Sequence, residues 1–442
     1  MQFFPSSKET LAVIGAGPKG IAVAIKSLVL REFGIDCPQV ILIEKNEVAS
    51  HWSGNFGYTD GRMKLGTSPE KDLVYPLVTD VGDPAINQKI RSRLMEFTWA
   101  YFLMESGDYS DWVDRGRPAP CHSEWANYLR WAFSRIAAQT DLIIGEVKGI
   151  SLSGDIGIDG KPSWMLDIKS KDNSRSLQVS RLLMTGPGEV RTDFEIQVGE
   201  TRAGDIYDLD SFWRQFGSNQ FQLKKRIAIV GAGENSASLL LALAGKLENS
   251  SSEITLISPT GFISTRAENF YENRFYSQPD KAGWDRLAIS DRQNFIQRTD
   301  LGVFSVQAMQ LLNEQRTHQI LAGKVTKLKN NSEKGIDLEI EYNGVSNILT
   351  ADQVILATGF DSAHGFRKLL SERTRKILES RLGASLDSHQ LSPLVQKDLS
   401  IQNSDSEAKI PKLHLPMLAG LSQGPGFANL SSLGLLSDRI LL

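Results

Sequence analysis

Cysteine is nearly missing, with Cys37 and Cys121 the only two among 442 residues. Two thiols so far apart in sequence build neither a disulfide framework nor a metal cluster, and they suit a reducing cytoplasm. An excess of charge is missing too. Lys and Arg total 49 against 52 for Asp and Glu, a net charge of −3, so no basic field points to a nucleic-acid partner. Nothing approaches the roughly 18 consecutive apolar residues that a membrane span needs. The opening MQFFPSSKET has no basic region leading into an apolar stretch, so no signal peptide is expected. The six histidines (51, 122, 318, 364, 389 and 414) include no i, i+4 pair that would place two imidazoles on one helix face, and no metal site is expected. Short repeats and low-complexity tracts are absent as well. What remains, at 41% hydrophobic and 23% charged, is an ordinary globular composition long enough for two or three domains.

The positive signals begin with glycine. Leu11 to Ile14 is a short apolar run, followed by Gly15-Ala-Gly17-Pro-Lys-Gly20 and then IAVAIKSLVLREFG with helical periodicity. Strand, tight loop and helix in that order make a dinucleotide site. Gly15 permits the turn, Gly17 lets the backbone approach a pyrophosphate, Gly20 lets helix pack on strand, and the helix N-terminus attracts the anion. A second apolar run, Val40 to Ile43, ends in Glu44, where an acid would accept from ribose hydroxyls. The pattern returns at Arg226 to Val230, Gly231-Ala-Gly233-Glu-Asn-Ser236 and SLLLALAGKL. Here the next strand, Ile254 to Ile257, ends in Ser258, with Arg266 shortly beyond. An acid would repel a ribose 2′-phosphate, whereas Ser and Arg can bind one, which favours NADPH over NADH.

Two more apolar runs stop at Thr-Gly, in LLMTGPG (182–188) and in VILATGF (354–360). They mark crossings between two nucleotide domains, with Gly359 allowing close approach to a cofactor. The expected architecture is therefore α/β, with two Rossmann-like dinucleotide-binding domains, the second inserted into the first. Residues 1–190 and 355–442 are assigned to the flavin (FAD) domain and 191–354 to the NADPH domain, with a small substrate-contacting segment at about 261–320. SGDIGIDGKPSW (153–164) reads as a hairpin turn and QNSDSEAKIPK (402–412) as an exposed loop.

An electron donor and an electron carrier in one chain define an NADPH-dependent flavoprotein. Disulfide reduction needs closely spaced redox cysteines, which Cys37 and Cys121 do not supply, leaving O2 as the simplest acceptor. The string Gly420-Leu-Ser422-Gln-Gly424 fits GxSxG, but Pro425-Gly426 follows and no histidine lies after His414, so a nucleophile elbow is excluded. A ketone-oxygenating enzyme would carry an FxGxxxHxxxW string between the loops, and none is present. A non-catalytic NADPH-binding scaffold would share both loops, but the intact glycines argue against decay.

Longer motifs narrow the class. They are Gly-Ala-Gly-Pro-Lys-Gly (15–20), YTDG (58–61), LGTSPEKD (65–72), DWVDRGRPAP (111–120), YLRW (128–131), FYEN (270–273), TDLGVFS (299–305), LSQGPGF (421–427) and NLSSLGLLSD (429–438). In these the chain resembles the flavin-dependent amino-acid N-hydroxylating monooxygenases of siderophore biosynthesis, in particular the lysine N-hydroxylases of mycobactin assembly. The resemblance spans nearly the whole chain. It implies that NADPH reduces FAD, that the reduced flavin traps O2 as a 4a-hydroperoxide, and that a neutral amine of L-lysine, or of L-ornithine, attacks its distal oxygen. No residue is then needed as acid, base or nucleophile. The protein excludes water, aligns the amine and favours its free base over an ammonium of solution pKa about 10.4. Relatives are often oligomers, so a homo-oligomer is compatible with the resemblance.

The same resemblance assigns Lys71 to the substrate carboxylate, Asn273 to the substrate beside the nicotinamide, and Ser437 to the flavin and substrate. It assigns Gly424 and Gly426, in QGPGF, to the cofactor. Without it, Lys71 would read as a solvated cation, Asn273 as a turn residue and Ser437 as a capping hydroxyl. Departures are informative. Ornithine-specific relatives place a Gln where Gly66 stands and an Asn where this chain reads Gly302-Val-Phe-Ser305. Losing two amides is expected to leave room for a longer side chain. Phe360 replaces a common tyrosine, and His51-Trp52 reverses the usual Trp-His order, so no flavin contact is carried over to His51.

Overall fold

The computed structural model describes residues 9–153, 162–171, 173–197, 205–218, 220–247, 251–266, 269–315, 318–331, 335–402 and 410–442. The turn expected within 153–164 and the loop within 402–412 lie mostly outside these. The strands flanking the former, Glu146–Leu152 and Trp164–Lys169, pair antiparallel.

The fold is mixed α/β, built on two five-stranded sheets. In the first, the strands run Leu413–His414, Arg181–Met184, Thr10–Ile14, Gln39–Glu44 and Asp141–Ile144 across the sheet, every pairing parallel. Parallel strands need crossovers and are covered on both faces, which is why LAVI and VILI are continuous apolar runs. The helix Pro18–Glu32 buries nearly all of its residues and packs on the C-terminal helix Leu433–Leu441. Of its two buried cations, Lys26 is compensated by Asp438 at 2.8 Å and by the Val78 carbonyl at 2.9 Å, as a buried charge requires.

The second sheet orders Ile206–Tyr207, Gln353–Leu356, Arg226–Val230, Glu253–Ser258 and His318–Ala322, again all parallel. Gln353–Leu356 belongs to this sheet along its full length. A boundary at 354/355 therefore cuts a strand, and the chain leaves the second unit only after Leu356. The two crossings run side by side: Glu189–Val190 pairs antiparallel with Phe360–Asp361, Arg191 N–H donates to the Gly359 carbonyl at 2.9 Å, and Thr358 Oγ1 donates to the Arg191 carbonyl. Gly359 thus serves the junction between units.

Within 261–320 the structure separates two parts. The helix Val306–Gln315 packs on Glu234–Leu247 and His318–Ala322 lies in the second sheet, so these are core of the second unit. The rest holds the strand pair Ser264–Thr265 with Val303–Phe304 and the helices Phe270–Ser277, Pro279–Ala282 and Ile289–Thr299. Phe275, Trp284 and Phe295 pack edge to face with centroids 5.2–5.6 Å apart. This aromatic cluster gives a short segment a core of its own.

Among the described residues, no helix is long and apolar enough to cross a membrane, and no group of three or more His, Cys, Asp or Glu is placed to hold a metal ion. Cys37 and Cys121 are both free thiols.

Candidate active site

The carboxyl end of the first sheet opens into a cavity of about 450 Å3 whose wall includes Gly15, Gly17, Lys19 and Glu44 from the first unit and Glu234, Asn235 and Ser238 from the second. The first glycine loop and the helix start that follows the second glycine loop therefore face one hollow. Gly15 holds φ +108 and Gly231 φ +116, backbone that only glycine adopts without strain. A Cβ on Gly17 or Gly233 would meet no protein atom within 4 Å. A Cβ on Gly20 would collide with the Gly15 carbonyl, so Gly20 is needed for packing and Gly17 for open approach.

Gly17 is the N-cap of Pro18–Glu32, with no capping side chain and no acid in the first turn. Its amides are left for an outside anion. Glu44 Oε2 accepts from Ala16 N–H at 2.9 Å, and Oε1 accepts from Asn46 N–H and Ser50 Oγ at 3.1 Å. It ties the loop to the strand end and, still lining the cavity, keeps acceptor capacity for a ribose. In the second loop the Ser236 hydroxyl donates to the Gly231 carbonyl at 2.8 Å, so it braces the turn rather than offering itself to a phosphate.

A smaller pocket of about 160 Å3 adjoins, lined by Thr67, Ser68, Lys71, Arg266, Asn273, Tyr276 and Ser431. Thr67, Arg266 and Ser431 also line the large cavity. Lys71 Nζ donates to Asn273 Oδ1 at 2.5 Å, so two residues 202 positions apart come into direct contact. Lys71 sits in a turn whose N–H donates to the Ser68 carbonyl at 3.0 Å. Beside it, the buried Asp72 carboxylate accepts from Val74 and Trp99 N–H at 3.1 and 2.9 Å, fixing the segment. Burial pushes that carboxyl up to about 7 despite those bonds. Asn273 is presented by Phe270–Ser277, whose N-cap Asn269 accepts from Glu272 N–H at 3.0 Å.

Four expected residues take other positions or partners. Ser437 is buried, lines none of these cavities, and donates to its own helix at Gly434 O, 2.9 Å away. Gly424 and Gly426 support the substrate segment: a Cβ on Gly424 would lie 2.6 Å from Pro279 Cβ, and one on Gly426 would overlap the Tyr276 carbonyl. QGPGF is thus the seat on which the Asn273 helix rests. Arg266, expected at a 2′-phosphate, pairs with Asp300 at 3.1 Å and faces the Lys71 pocket, while Ser258 Oγ donates to the Phe262 carbonyl at 3.1 Å.

Other groups in the wall were given no role from sequence. Lys19 is buried in the cavity wall, with Nζ donating to the Ala428 carbonyl at 3.0 Å. Burial brings its ammonium down to about 8, against the pull of Asp300. His51 and His122 are both held down to about 4 by burial, so they stay neutral at pH 7. The His51 ring stacks on Tyr58 at 4.2 Å and His122 Nδ1 bonds Thr59 Oγ1 at 2.9 Å. The sequence signal for Lys19 was a cation inside an otherwise apolar helix start.

Residues 9–362 match the sequence family described as L-lysine 6-monooxygenase/L-ornithine 5-monooxygenase. The chain belongs to this family. It is 37% identical over 437 residues to the L-lysine N6-monooxygenase MbtG of Mycobacterium tuberculosis, covering 98% of this chain and 94% of that protein. Its structure resembles the lysine monooxygenase NbtG of Nocardia farcinica with a TM-score of 0.81 at 34% identity, over 98% of this chain and 99% of that one. The ornithine N-hydroxylase KtzI of Kutzneria sp. 744 shares the fold, with a TM-score of 0.74 at 16% identity over 98% and 97% of the two chains.

Proposed function

We propose that this chain is an FAD- and NADPH-dependent monooxygenase that hydroxylates the side-chain amine of L-lysine for siderophore biosynthesis, in a reducing cytoplasm. The observation that carries the reading is the junction of the Lys71–Asn273 pocket with the cavity walled by the first glycine loop and by Glu234 and Asn235 of the second motif, through Thr67, Arg266 and Ser431. In this reading the two sheets are Rossmann-like dinucleotide-binding domains, the second inserted into the first, with the crossing back after Leu356. The uncapped helix at Gly17, the open space over it and Glu44 suit the pyrophosphate and ribose of FAD. The open Gly233 and the absence of an acid at Ser258 suit NADPH.

A bound flavin reduced by the nicotinamide supplies the electrons that convert O2 into a hydroxylating agent. The chain's own residues prepare the amine. Lys71 and the Asn273 amide hold the α-carboxylate by charge-assisted bonds, leaving the side chain to extend past Thr67 into the larger cavity. A lysine ammonium has a solution pKa of about 10.4 and must lose its proton to act as a nucleophile. The cations Lys19 and Arg266 in the wall oppose a further positive charge, and neutral His51 and His122 add none. Leu65, Trp52, Trp213, Met417 and Leu430 line the same cavity and keep water from it.

Lysine is favoured over ornithine because the relatives matched over 98% of this chain are named lysine enzymes. The test is to incubate the protein with FAD, NADPH and either amino acid and to measure hydroxylamine against hydrogen peroxide. Hydroxylamine from lysine is expected. Peroxide alone with both amino acids would remove these substrates, and no NADPH oxidation would remove the enzyme class.

A further inference from the structure

The two departures from the ornithine pattern, at Gly66 and at Gly302–Ser305, meet in space at Glu234. A Cβ on Gly66 would lie 2.9 Å from Glu234 Oε1 and 3.5 Å from the Cβ of Ser305. The other carboxylate oxygen, Oε2, accepts the Ser305 N–H at 2.5 Å. The gap at Gly66 is therefore filled, contrary to the expectation of free space. Glu234 opens the helix that follows the second glycine loop, so the second unit delivers a carboxylate against a backbone position of the first. It lines the large cavity together with Gly66, Thr67 and Arg266, and Thr67 continues into the Lys71 pocket.

A lone acid after a glycine loop could be mere helix-end chemistry, since an acid in the first turn is favourable there. Its geometry exceeds that role. One oxygen is fixed by Ser305 and the other is aimed across the unit boundary at Gly66, which has no side chain. We propose that Glu234 accepts a hydrogen bond from the substrate's side-chain amine and so sets the side-chain length that the site takes, a role that rests on the N-hydroxylase reading above. A free-base amine has two N–H donors and one lone pair. Giving one N–H to a carboxylate that Ser305 holds in place turns the lone pair into the remaining cavity, where the oxygen must arrive. Arg266 pairs with Asp300 at 3.1 Å and also feels Glu234, and Lys19 in the same wall feels Asp300, so the two cations together balance the two carboxylates and the amine is not locked as an ammonium. A side chain one methylene shorter, held by the same carboxylate anchor, falls short by about 1.3 Å, the projected length of one C–C bond, and hydrogen bonds weaken steeply over such a distance.

The test uses the holoprotein with FAD and NADPH. Glu234→Ala should raise the KM for lysine about ten- to hundredfold and lower hydroxylamine formed per NADPH, while the KM for ornithine changes less than threefold. Gly66→Ala, whose Cβ displaces the carboxylate, should raise the lysine KM in the wild-type background and add nothing in the Glu234→Ala background. Flavin content and circular dichroism confirm that each variant is folded. An unchanged lysine KM overturns the proposal, as does additivity of the two substitutions. So does a KM for NADPH that rises as much as that for lysine, which would make Glu234 a nucleotide ligand. Should the wild-type make no hydroxylamine at all, the functional reading falls separately. Calorimetric binding of lysine to the FAD- and NADP+-loaded wild-type and Glu234→Ala proteins then decides the role of Glu234.

Discussion

Replacing Lys71 by alanine should separate amino-acid binding from flavin chemistry. Lys71 Nζ donates to Asn273 Oδ1 at 2.5 Å in a pocket of about 160 Å3, and the proposal gives it the substrate carboxylate. A hydrogen bond to a charged group contributes roughly 1.5–3 kcal/mol. Lys71 is only partly buried, so solvent screening favours the lower half of that range. The expected rise in the lysine KM is therefore about 10- to 50-fold. Asn273→Ala removes a neutral partner, worth roughly 0.5–1.5 kcal/mol, and should raise the KM by about 2- to 12-fold. Because the two side chains touch, the double variant should deviate from additivity by at least about 0.5 kcal/mol. Stopped-flow absorbance gives the rate of flavin reduction by NADPH without amino acid, and hydroxylamine formation against lysine concentration gives the KM. A reduction rate that falls as far as amino-acid binding would refute the role, because Lys71 would then be supporting the fold or the flavin.

Three further outcomes follow from the packing and the titration shifts. Gly17→Ala should leave the apoprotein's melting temperature unchanged, since its Cβ meets no protein atom, yet weaken FAD retention at least about tenfold by intruding on the pyrophosphate. Gly20→Ala should lower apoprotein stability instead, and equal effects of the two on melting would contradict the division of labour. Gly426→Ala drives a Cβ into the Tyr276 carbonyl and should cost about 1–3 kcal/mol in denaturant unfolding while raising the lysine KM; a raised KM with a normal flavin spectrum separates this from cofactor loss. His414 is buried, its Nδ1–H bonds the Asp398 carbonyl at 2.8 Å, and burial holds it down to about 4 from 6.5. The neutral form is the folded one, so its contribution, on the order of 3 kcal/mol, is present above pH 6.5 and lost as pH falls towards 4. His414→Asn should flatten the melting profile over that interval, and an unchanged slope would refute the assignment.

What the sequence made legible was local. Gly15, Gly17 and Gly20 between an apolar run and a helix specify strand, loop and helix through short-range sterics, and the same holds at Gly231 and Gly233. Thr-Gly at 185–186 and 358–359 marked both crossings, yet the exact return to the first unit was misplaced. VILA gives no local sign of which sheet it joins, because buried parallel strands all read as apolar runs. Lys71 and Asn273 became site residues only through family motifs, since 202 positions separate them. Gly424 and Gly426 were read as cofactor glycines because a glycine needed for backbone approach looks the same whether a ligand or another helix approaches. Glu234 escaped notice for a similar reason: an acid at a helix start has an ordinary explanation, and the Gly66 that receives it is 168 positions away.

The assembly of the pocket from both units bears on how the reaction is ordered. Lys71 comes from the first unit, Asn273 from the inserted one, and the surface that seats the Asn273 helix from the C-terminal QGPGF segment. On the role proposed for Lys71 and Asn273, an amino acid held between them would bind best when the two units stand as they do here, with Gly17 of the first loop and Glu234 of the second motif on one cavity. By linkage, a bound amino acid must stabilise that same arrangement. Nucleotide at the second loop and amino acid at Lys71 each favour one juxtaposition of the units, so each should tighten the other even though they touch different residues.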